Sequence, residues 1–315
     1  KTLNIMINMY LCLIKHMLTI IGTMKKKIIF ILNPISGTVS KAGIPKLIEE
    51  RLDKETFDYD IAETEYAGHA TELAKKAAEK GVDIVVAIGG DGTVNEVGRA
   101  LINTETAMAI LPCGSGNGLA RHLRLPMNLK KCIDIINMCD IHSLDYGIIN
   151  QHPFFCTCGM GFDAFISMKF ANAGKRGPIT YVQQVLEEGV KYIPETYEIE
   201  DEDGIQHYKA FLVSAANASQ YGNNAYIAPQ ASMSDGLLDI IIMEPFDIID
   251  APQVAIELFN KTLDKNLKIK TFKAKHLHIH RKQAGLIHFD GDPVISDADV
   301  DISIVSKGIN IVINH

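Results

Sequence analysis

The sequence has no excess of basic residues and no paired cysteine motif, and each absence excludes a class of protein. It contains 31 Lys and Arg against 38 Asp and Glu, a formal net charge of −7. That balance argues against a nucleic-acid binder, which would present a basic face. The six cysteines show no Cys-x-x-Cys spacing. We therefore expect reduced, buried thiols rather than a zinc site or disulfides, which fits a cytoplasmic protein.

A long uninterrupted apolar run is also missing. Residues 3–22 are apolar but are broken by Asn4, Asn8, Lys15 and His16, whereas a membrane-spanning helix needs roughly 20 mostly apolar residues. A signal peptide would have a basic start and a small-residue cleavage site, and residues 1–23 do not match that pattern convincingly either. Because Met24 is followed by three lysines and a strand pattern, we interpret residues 1–23 as an upstream extension outside the core. The alternative is an interfacial anchor.

The first half of the chain alternates between strand and helix patterns. Short, buried, β-branched runs at 28–32, 84–88 and 107–111 alternate with helical patterns at 44–52, 71–80, 94–101 and 129–138. This alternation predicts an α/β domain over residues 24–147, in which helices cover a parallel sheet. Ligands of such sheets bind beyond the carboxyl ends of the strands.

The second half, residues 148–315, has a different pattern. Short strand patterns at 154–158, 197–199, 208–215, 237–243, 267–272, 276–280 and 300–305 are separated by turns, with helical patterns at 179–192 and 251–263. We expect a mostly antiparallel β-sandwich domain that shares a cleft with the first domain.

Three glycine-rich loops follow strands of the first half. They are Asn33-Pro34-Ile35-Ser36-Gly37 with Lys41 nearby, Gly89-Gly90-Asp91-Gly92-Thr93, and Pro112-Cys113-Gly114-Ser115-Gly116-Asn117-Gly118. Three such loops at successive strand ends would face one crevice, where backbone N–H groups and a helix N-terminus can hold phosphate. None has the Walker spacing or a convincing Gly-x-Gly-x-x-Gly. The pattern predicts a different phosphate site, in which Asp91 holds a metal or orders the loop. The alternative is a tight turn that Asp91 caps.

Two Asp-Gly turns stand out in the second half, at 234–239 and 289–293. A phosphoryl-transfer enzyme needs magnesium and a carboxylate that orients the nucleophile, and Asp290 or Asp292 could be that carboxylate. The alternative is a hairpin turn, which Asp-Gly favours. His276, His278 and His280 alternate along one strand face, but no carboxylate or cysteine joins them at ligand spacing, so we favour an exposed strand face over a metal site.

In chain order, five motifs resemble the diacylglycerol kinase catalytic-domain family. They are Asn-Pro-x-Ser-Gly, Gly-Gly-Asp-Gly-Thr-x-Asn-Glu, Gly-Ser-Gly-Asn, Asp-Gly-x-Leu-Asp and a late Asp-Gly-Asp, spread over about residues 25 to 305. The family includes bacterial lipid kinases, ceramide kinases and sphingosine kinases. The resemblance implies an α/β/α ATP-binding domain, a β-rich lipid-substrate domain and an active site between them. It also implies transfer of the γ-phosphoryl group of Mg-ATP to the hydroxyl of a lipid such as diacylglycerol or a sphingoid lipid.

The resemblance further implies roles for individual residues. The candidate ATP-binding residues are Asn33, Ser36, Gly37, Lys41, Thr64, Gly89, Gly90, Asp91, Gly92, Thr93, Glu96, Gly114, Ser115, Gly116 and Asn117. Asp91 would act through Mg-ATP. Asp145 matches a carboxylate of the magnesium network, and Asp235 with the Leu237 carbonyl matches a structural Mg²⁺ site. Asp290 and Asp292 match the family's Asp-Gly-Glu, whose last residue is proposed to take the proton of the lipid hydroxyl.

Two positions depart from the family pattern. Gly118 stands where many bacterial members have aspartate, and Asp292 replaces the usual glutamate and is one methylene shorter. Gly118 supports one rival, a non-catalytic nucleotide- or lipid-binding relative. The other rival is an NAD kinase-like enzyme, which shares Gly-Gly-Asp-Gly-Thr, but residues 107–125 lack the segment expected to follow.

The expected partners follow from the same interpretation. We expect a lipid substrate with a free hydroxyl, peripheral contact with the membrane surface and no nucleic acid. The short basic clusters 121–124 and 175–177 could meet anionic head groups or stay solvated. A free strand edge in the second domain would allow a homodimer. The sequence does not identify the lipid.

Overall fold

A computed structural model of the chain describes residues 25–37, 40–172, 188–189 and 191–314. Its strands are β1 (Lys26–Leu32), β2 (Phe57–Glu63), β3 (Ile84–Gly89), β4 (Ala107–Pro112), β5 (Ile141–Ile149), β6 (His152–Phe154), β7 (Thr157–Gly161), β8 (Glu195–Asp201), β9 (Gly204–Ala210), β10 (Leu212–Ala216), β11 (Leu238–Met243), β12 (Ile269–Ala274), β13 (His276–Arg281), β14 (Gly285–Phe289), β15 (Asp292–Ser296) and β16 (Asp299–Val312). Its helices are α1 (Ile44–Arg51), α2 (His69–Glu79), α3 (Asp91–Leu101), α4 (Gly118–His122), α5 (Leu129–Met138), α6 (Phe162–Asn172) and α7 (Ala251–Asn260).

The first half forms the expected three layers. Its strands pair in parallel in the order β2-β1-β3-β4, and every residue of β3 and β4 is buried. On one face, α2 and α3 pack through Ala74 and Val97; on the other, α1 and α5 pack through Ile48 and Ile133. The continuous β-branched runs are explained by this burial on both faces.

The first sheet continues beyond β4 into the second half of the chain. It runs on as β16-β13-β8-β9, with β5 and β6 attached through β16. Ile311 of β16 pairs in parallel with Met108 of β4, while β16 pairs antiparallel with β5 and β13. The β16 strand therefore contributes to both halves of the molecule.

The second sheet is wholly antiparallel, in the order β12-β11-β10-β7-β14-β15. It packs on the antiparallel part of the first sheet and shares one apolar core with it. That core includes Met160, Val213 and Ile240 from the second sheet and Tyr197, Ile279 and Ile302 from the first. The predicted β-sandwich is thus confirmed.

The structure corrects several local predictions. The expected strand at 154–158 is two strands, β6 and β7, separated by a bend at Phe155 and Cys156. Cys156 and Cys158 consequently pack in different cores instead of on one strand face. The helix predicted at 251–263 ends at Asn260, where Lys261 takes the left-handed conformation that closes a helix.

Six of the described strands and α-helices went unpredicted, namely the strands β2, β5, β14 and β15 and the helices α4 and α6. The strand β2 alternates weakly between buried and exposed positions, α4 spans five residues, and the apolar residues of α6 do not form one stripe. The predicted extension at 1–23, the basic cluster at 175–177 and nearly all of the helix predicted at 179–192 lie outside the described residues. Within the described part of the chain, no helix is long and apolar enough to cross a membrane.

His122 at the end of α4 joins the first half to the second. Its Nδ1 accepts the backbone N–H of Ser219 at 3.1 Å and lies 3.0 Å from the Ser219 hydroxyl. Burial, together with the charge of Arg124, lowers the pKa of His122 from 6.5 to about 4. This imidazole is therefore neutral in the folded protein at pH values where an unfolded chain would protonate it.

We expect His122 to make the protein less stable below pH 6.5. Between pH 6.5 and about 4, the unfolded chain binds a proton that the folded protein does not. The free energy of unfolding therefore decreases as the pH is lowered through this range. The contribution of this residue is about 3 kcal/mol across the window. Urea unfolding from pH 7 to pH 4.5 measures the slope. His122→Asn keeps an acceptor for Ser219 and should flatten it; equal slopes in both proteins would contradict the assignment.

Candidate active site

The three glycine-rich loops meet at the carboxyl ends of β1, β3 and β4. Gly37 has a φ of +71°, and a Cβ there would lie 1.9 Å from the carbonyl oxygen of Cys113. A Cβ on Gly114 would lie 2.5 Å from the Cα of Gly90. Side chains at these positions would force the loops apart, so the glycines are required for three backbones to pack against one another.

Hydrogen bonds hold the loops in this arrangement. The N–H of Cys113 donates to the Gly89 carbonyl at 2.7 Å, and the Asn33 amide donates to the Thr93 hydroxyl at 3.1 Å. The helix α3 starts within the second loop, at Asp91. Its free N–H groups and positive dipole end suit the binding of phosphate.

Asp91 orders the third loop. Its Oδ1 accepts the N–H of Gly118 at 2.6 Å and its Oδ2 accepts the N–H of Asn117 at 2.8 Å. Burial raises the pKa of the Asp91 carboxyl, while these two N–H groups and Arg121 oppose the rise. Asn117 completes the turn by accepting the N–H of Gly114 at 2.9 Å.

The other candidate nucleotide-binding residues differ in exposure and in their hydrogen-bond partners. Ser115 and Gly92 are exposed. The buried Lys41 donates from its ammonium to the Ser36 carbonyl, and Thr64 is buried directly after β2. Glu96 caps the start of α2, because its carboxylate accepts the N–H groups of Gly68 and Ala70 at 3.0 and 3.2 Å.

Asp290 is fully occupied by backbone contacts. Its carboxylate accepts the N–H groups of Phe155, Cys156 and Thr157 at 2.8, 2.7 and 3.1 Å. Burial raises the pKa of Asp290, and the three N–H groups and Arg99 counteract this. The residue thereby ties the turn between β14 and β15 to the bend between β6 and β7.

Asp292 lies at the other end of that turn and is half exposed. Its carboxylate forms an ion pair with Arg99 of α3 at 2.9 Å, and Arg99 lies 4.8 Å from the centre of the Phe289 ring. The contact joins the turn to the same helix that begins at Asp91.

A cavity of about 410 Å³ separates the second glycine loop from the sandwich. It is lined by Asp91, Asn95, Cys156, Thr157, Asp163, Ile166, Ser167, Tyr221, His288, Asp290 and Gly291. Asp91 is thus shared by the glycine loops and the cavity. Asp292 itself is not part of the lining, but its neighbour Gly291 is.

Sequence reasoning missed the polar pair in this cavity, Asp163 and His288. Asp163 Oδ2 lies 3.0 Å from His288 Nε2 and 3.4 Å from the Tyr221 hydroxyl. His288 Nδ1 accepts the N–H of Gly291 at 3.4 Å. A sequence signal existed for Asp163, because it follows a buried strand and Gly161 at the start of a helix, as Asp91 follows Gly90. His288 interrupts an otherwise apolar strand.

The candidate magnesium residues form a separate cluster. Asp145 is buried, and its carboxylate accepts the N–H groups of Gly236 at 2.8 Å and Lys307 at 2.7 Å. Asp235 lies next to Gly236 and accepts the Leu237 N–H at 3.1 Å. The turn that contains Asp235 and Leu237 is therefore fixed directly to Asp145.

Lys273 already supplies a positive charge at Asp235. Its ammonium lies 2.8 Å from Asp235 Oδ2 and 2.9 Å from Asp239 Oδ2. No group of three or more His, Cys, Asp or Glu in the described ranges has the geometry to hold a metal ion. The Lys273 ammonium neutralises the Asp235 carboxylate in this structure, and we derive no step through a metal there.

We expect the turn at Asp235 to depend on Lys273 rather than on magnesium. Lys273→Met leaves two facing carboxylates and should lower the free energy of unfolding by about 1 kcal/mol, the upper range for partly exposed pairs. The melting temperature of the unmodified protein should be the same in EDTA and in excess Mg²⁺. Lys275→Met, on an exposed lysine nearby, is the control. A magnesium-dependent melting temperature that Asp235→Asn abolishes would refute this.

Family models match both halves of the chain. The model described as a diacylglycerol kinase catalytic domain matches residues 27–149, and that of a YegS C-terminal NAD kinase beta sandwich-like domain matches residues 156–313. A diacylglycerol kinase of Staphylococcus saprophyticus is 26% identical over 274 residues, covering 85% of this chain and 90% of the relative. A probable lipid kinase YegS of Escherichia coli is 30% identical over 207 residues, covering 64% and 69%.

Solved structures show the same fold. A putative diacylglycerol kinase from Bacillus anthracis superposes with a TM-score of 0.74 at 22% identity, over 93% of this chain and 98% of that one. The order of the two domains along the chain agrees with the order of the two family-model matches. The chain therefore belongs to the diacylglycerol kinase catalytic-domain family, in the form that carries a YegS-type C-terminal sandwich.

Proposed function

We propose that this protein is an ATP-dependent lipid kinase, which transfers the γ-phosphoryl group of Mg-ATP to the hydroxyl of a lipid such as diacylglycerol or a sphingoid lipid. The observation that carries the proposal is the cavity that shares Asp91 with the phosphate-binding loops. It offers a place for an acceptor hydroxyl directly beside the site suited to phosphate. Relatives named diacylglycerol kinase and probable lipid kinase support the same class of reaction.

In this proposal the glycine loops hold the triphosphate. Backbone N–H groups of the second and third loops, and the start of α3, bind phosphate oxygens. Asp91 keeps the third loop in place through Asn117 and Gly118. Magnesium arrives with ATP and neutralises charge on the phosphates.

The acceptor hydroxyl enters the cavity from the sandwich side. Asp292 takes its proton, the hydroxyl oxygen bonds to the γ-phosphorus, and the bond from that phosphorus to the bridging oxygen of ADP breaks. Asp290 fixes the turn that carries Asp292. To act, Asp292 leaves Arg99, and a partly exposed ion pair costs little to open.

Transfer of ³²P from γ-labelled ATP to lipids in mixed micelles tests the function directly. The panel contains diacylglycerol, ceramide, a sphingoid base and phosphatidylglycerol, with NAD as the acceptor of the rival enzyme. A labelled lipid establishes the kinase and identifies its acceptor. Tight ATP binding without labelling of any lipid would reject the proposal, and labelled NAD would replace it.

We expect Asp292→Ala to lower kcat on the labelled lipid by about 10²- to 10⁴-fold, the usual contribution of a general base. ATP affinity, measured by calorimetry, should not change, because the ion-pair partner of Asp292 is Arg99 of α3 and not a residue of the glycine loops. Asp297→Ala removes an exposed carboxylate from the end of the same hairpin and should leave kcat intact. Full turnover in Asp292→Ala would shift the proton acceptor to Asp163, which does line the cavity.

We expect Gly114→Ala to weaken ATP binding at least tenfold. The added Cβ would lie 2.5 Å from the Cα of Gly90 and would separate the second loop from the third. Gly43→Ala is the matched control, since a Cβ there meets no atom within 4 Å. Calorimetric titration with ATP compares the two variants, and equal affinity in both would show that contact between the loops is not needed for binding.

A further inference from the structure

Helix α7 is apolar on two sides. Its inner side, with Val254 and Leu258, packs on an apolar cluster that also contains Ile166 and Tyr221, two residues of the cavity wall. The Leu258 carbonyl accepts the N–H of Tyr226 at 2.8 Å. The inner side of α7 is therefore continuous with the structure around the cavity.

The outer side of α7 is not part of this cluster of described residues. Four apolar residues are spaced at intervals of three, four and three: Ile249 in the short 3-10 turn before α7, and Pro252, Ile256 and Phe259 in α7 itself. This spacing is typical of one helical face. We call these four residues the outer stripe. The side chains of Ile249, Ile256 and Phe259 are 83%, 60% and 49% exposed. An apolar face of this kind on a surface helix is typical of an interaction site.

A basic stretch, residues 261–270, follows the outer stripe directly. It carries Lys261, Lys265, Lys268 and Lys270 against Asp264 alone, a net charge of +3 in a chain whose net charge is −7. Lys265 and Lys268 form no ion pair with any residue that the structure describes, whereas Lys270 pairs with Glu244 at 2.8 Å. Leu267, between the free lysines, is 97% exposed.

We propose that the outer stripe and the basic stretch together form the surface by which the protein docks on an anionic lipid bilayer. Apolar side chains of a surface helix enter the boundary between head groups and acyl chains, and neighbouring lysines contact anionic head groups. The combination on adjacent residues fits a charged membrane better than a neutral one. The proposal rests on the proposed function, because a lipid acceptor is held in such a membrane.

Docking through the outer side of α7 brings the inner side, and the cavity wall it packs on, close to the bilayer. An acceptor lipid would then travel a short distance from the membrane to the cavity. Beside an interfacial anchor at 1–23, the sequence-based candidates for membrane contact are the basic clusters at 121–124 and 175–177. In the first of these, the Arg121 guanidinium donates to the Gly116 carbonyl at 3.0 Å, so that side chain supports the third loop.

Co-sedimentation of the full chain with vesicles tests the surface. One vesicle is phosphatidylcholine alone, and the other has a third of it replaced by phosphatidylserine. We expect preferential binding to the second vesicle. Ile256→Ser with Phe259→Ser should weaken that binding about tenfold or more. Lys265→Gln with Lys268→Gln should weaken it similarly and remove most of its salt dependence, since each lysine near the surface contributes about 1 kcal/mol.

The matched control is Ile205→Ser with Ile295→Ser, which removes two apolar side chains that are 57% and 77% exposed from the edge strands β9 and β15. This control should bind vesicles like the unmodified protein, and all variants should keep its melting temperature. Unchanged binding in the outer-stripe variant overturns the proposal. A second result would also overturn it: the unmodified protein does not bind vesicles but self-associates, and the outer-stripe variant no longer does. The stripe would then be a protein interface.

The two proposals fail in different ways. If vesicles bind as expected but no lipid is labelled by ATP, the kinase assignment fails and the docking surface stands. If the outer-stripe variant phosphorylates a short-chain lipid dissolved as monomers as well as the unmodified protein but loses activity on vesicles, both are supported. Equal activity on vesicles in both proteins overturns the docking surface alone.

Discussion

The arrangement of the candidate active site depends on one buried carboxylate, that of Asp290. Its three backbone hydrogen bonds hold the bend at 155–157, where the chain passes from the first sheet into the second. The bend supplies Cys156 and Thr157 to the cavity, and the turn after Asp290 supplies Gly291. A buried carboxylate without partners would be costly, and three N–H donors offset that cost. These two segments of the cavity wall are therefore positioned by a single side chain.

Asp91 and Asp145 also hold loops through hydrogen bonds from backbone N–H groups to a carboxylate. Each carboxylate accepts two backbone N–H groups from segments distant in sequence. The buried Asn217 links two of these centres, because its amide donates to the carbonyls of Asp145 and Phe155, both at 2.9 Å. Irregular loops cannot satisfy their own N–H groups as helices and strands do. Fixed carboxylates do so here, and they hold the loops in a preorganised geometry that suits the binding of charged groups.

Local patterns were sufficient to predict much of this molecule. The buried runs of β1, β3 and β4 and the glycine loops after them depend on neighbouring residues alone. The motifs that indicate the family are also short segments that can be read directly from the sequence. Contacts over long sequence separations were not predictable. Glu96 belongs to a loop motif but binds the N-terminus of α2, and Asp163 meets His288 across 125 residues. Asp290 occupies a favoured hairpin position, and nothing nearby in the sequence shows that its partners are 133 to 135 residues away.

The position of β16 has a consequence for how the protein is synthesised. This strand fills the place between β4 and β13, and its Ile309 and Ile311 complete the apolar core that α2 and α3 begin. Until residues 299–312 have left the ribosome, the nascent first half has an open strand edge and an incomplete core. Such surfaces recruit chaperones or aggregate. Folding of the first half is thus delayed until β16 has been synthesised, and the two halves cannot be produced as independent fragments without one of them losing that strand.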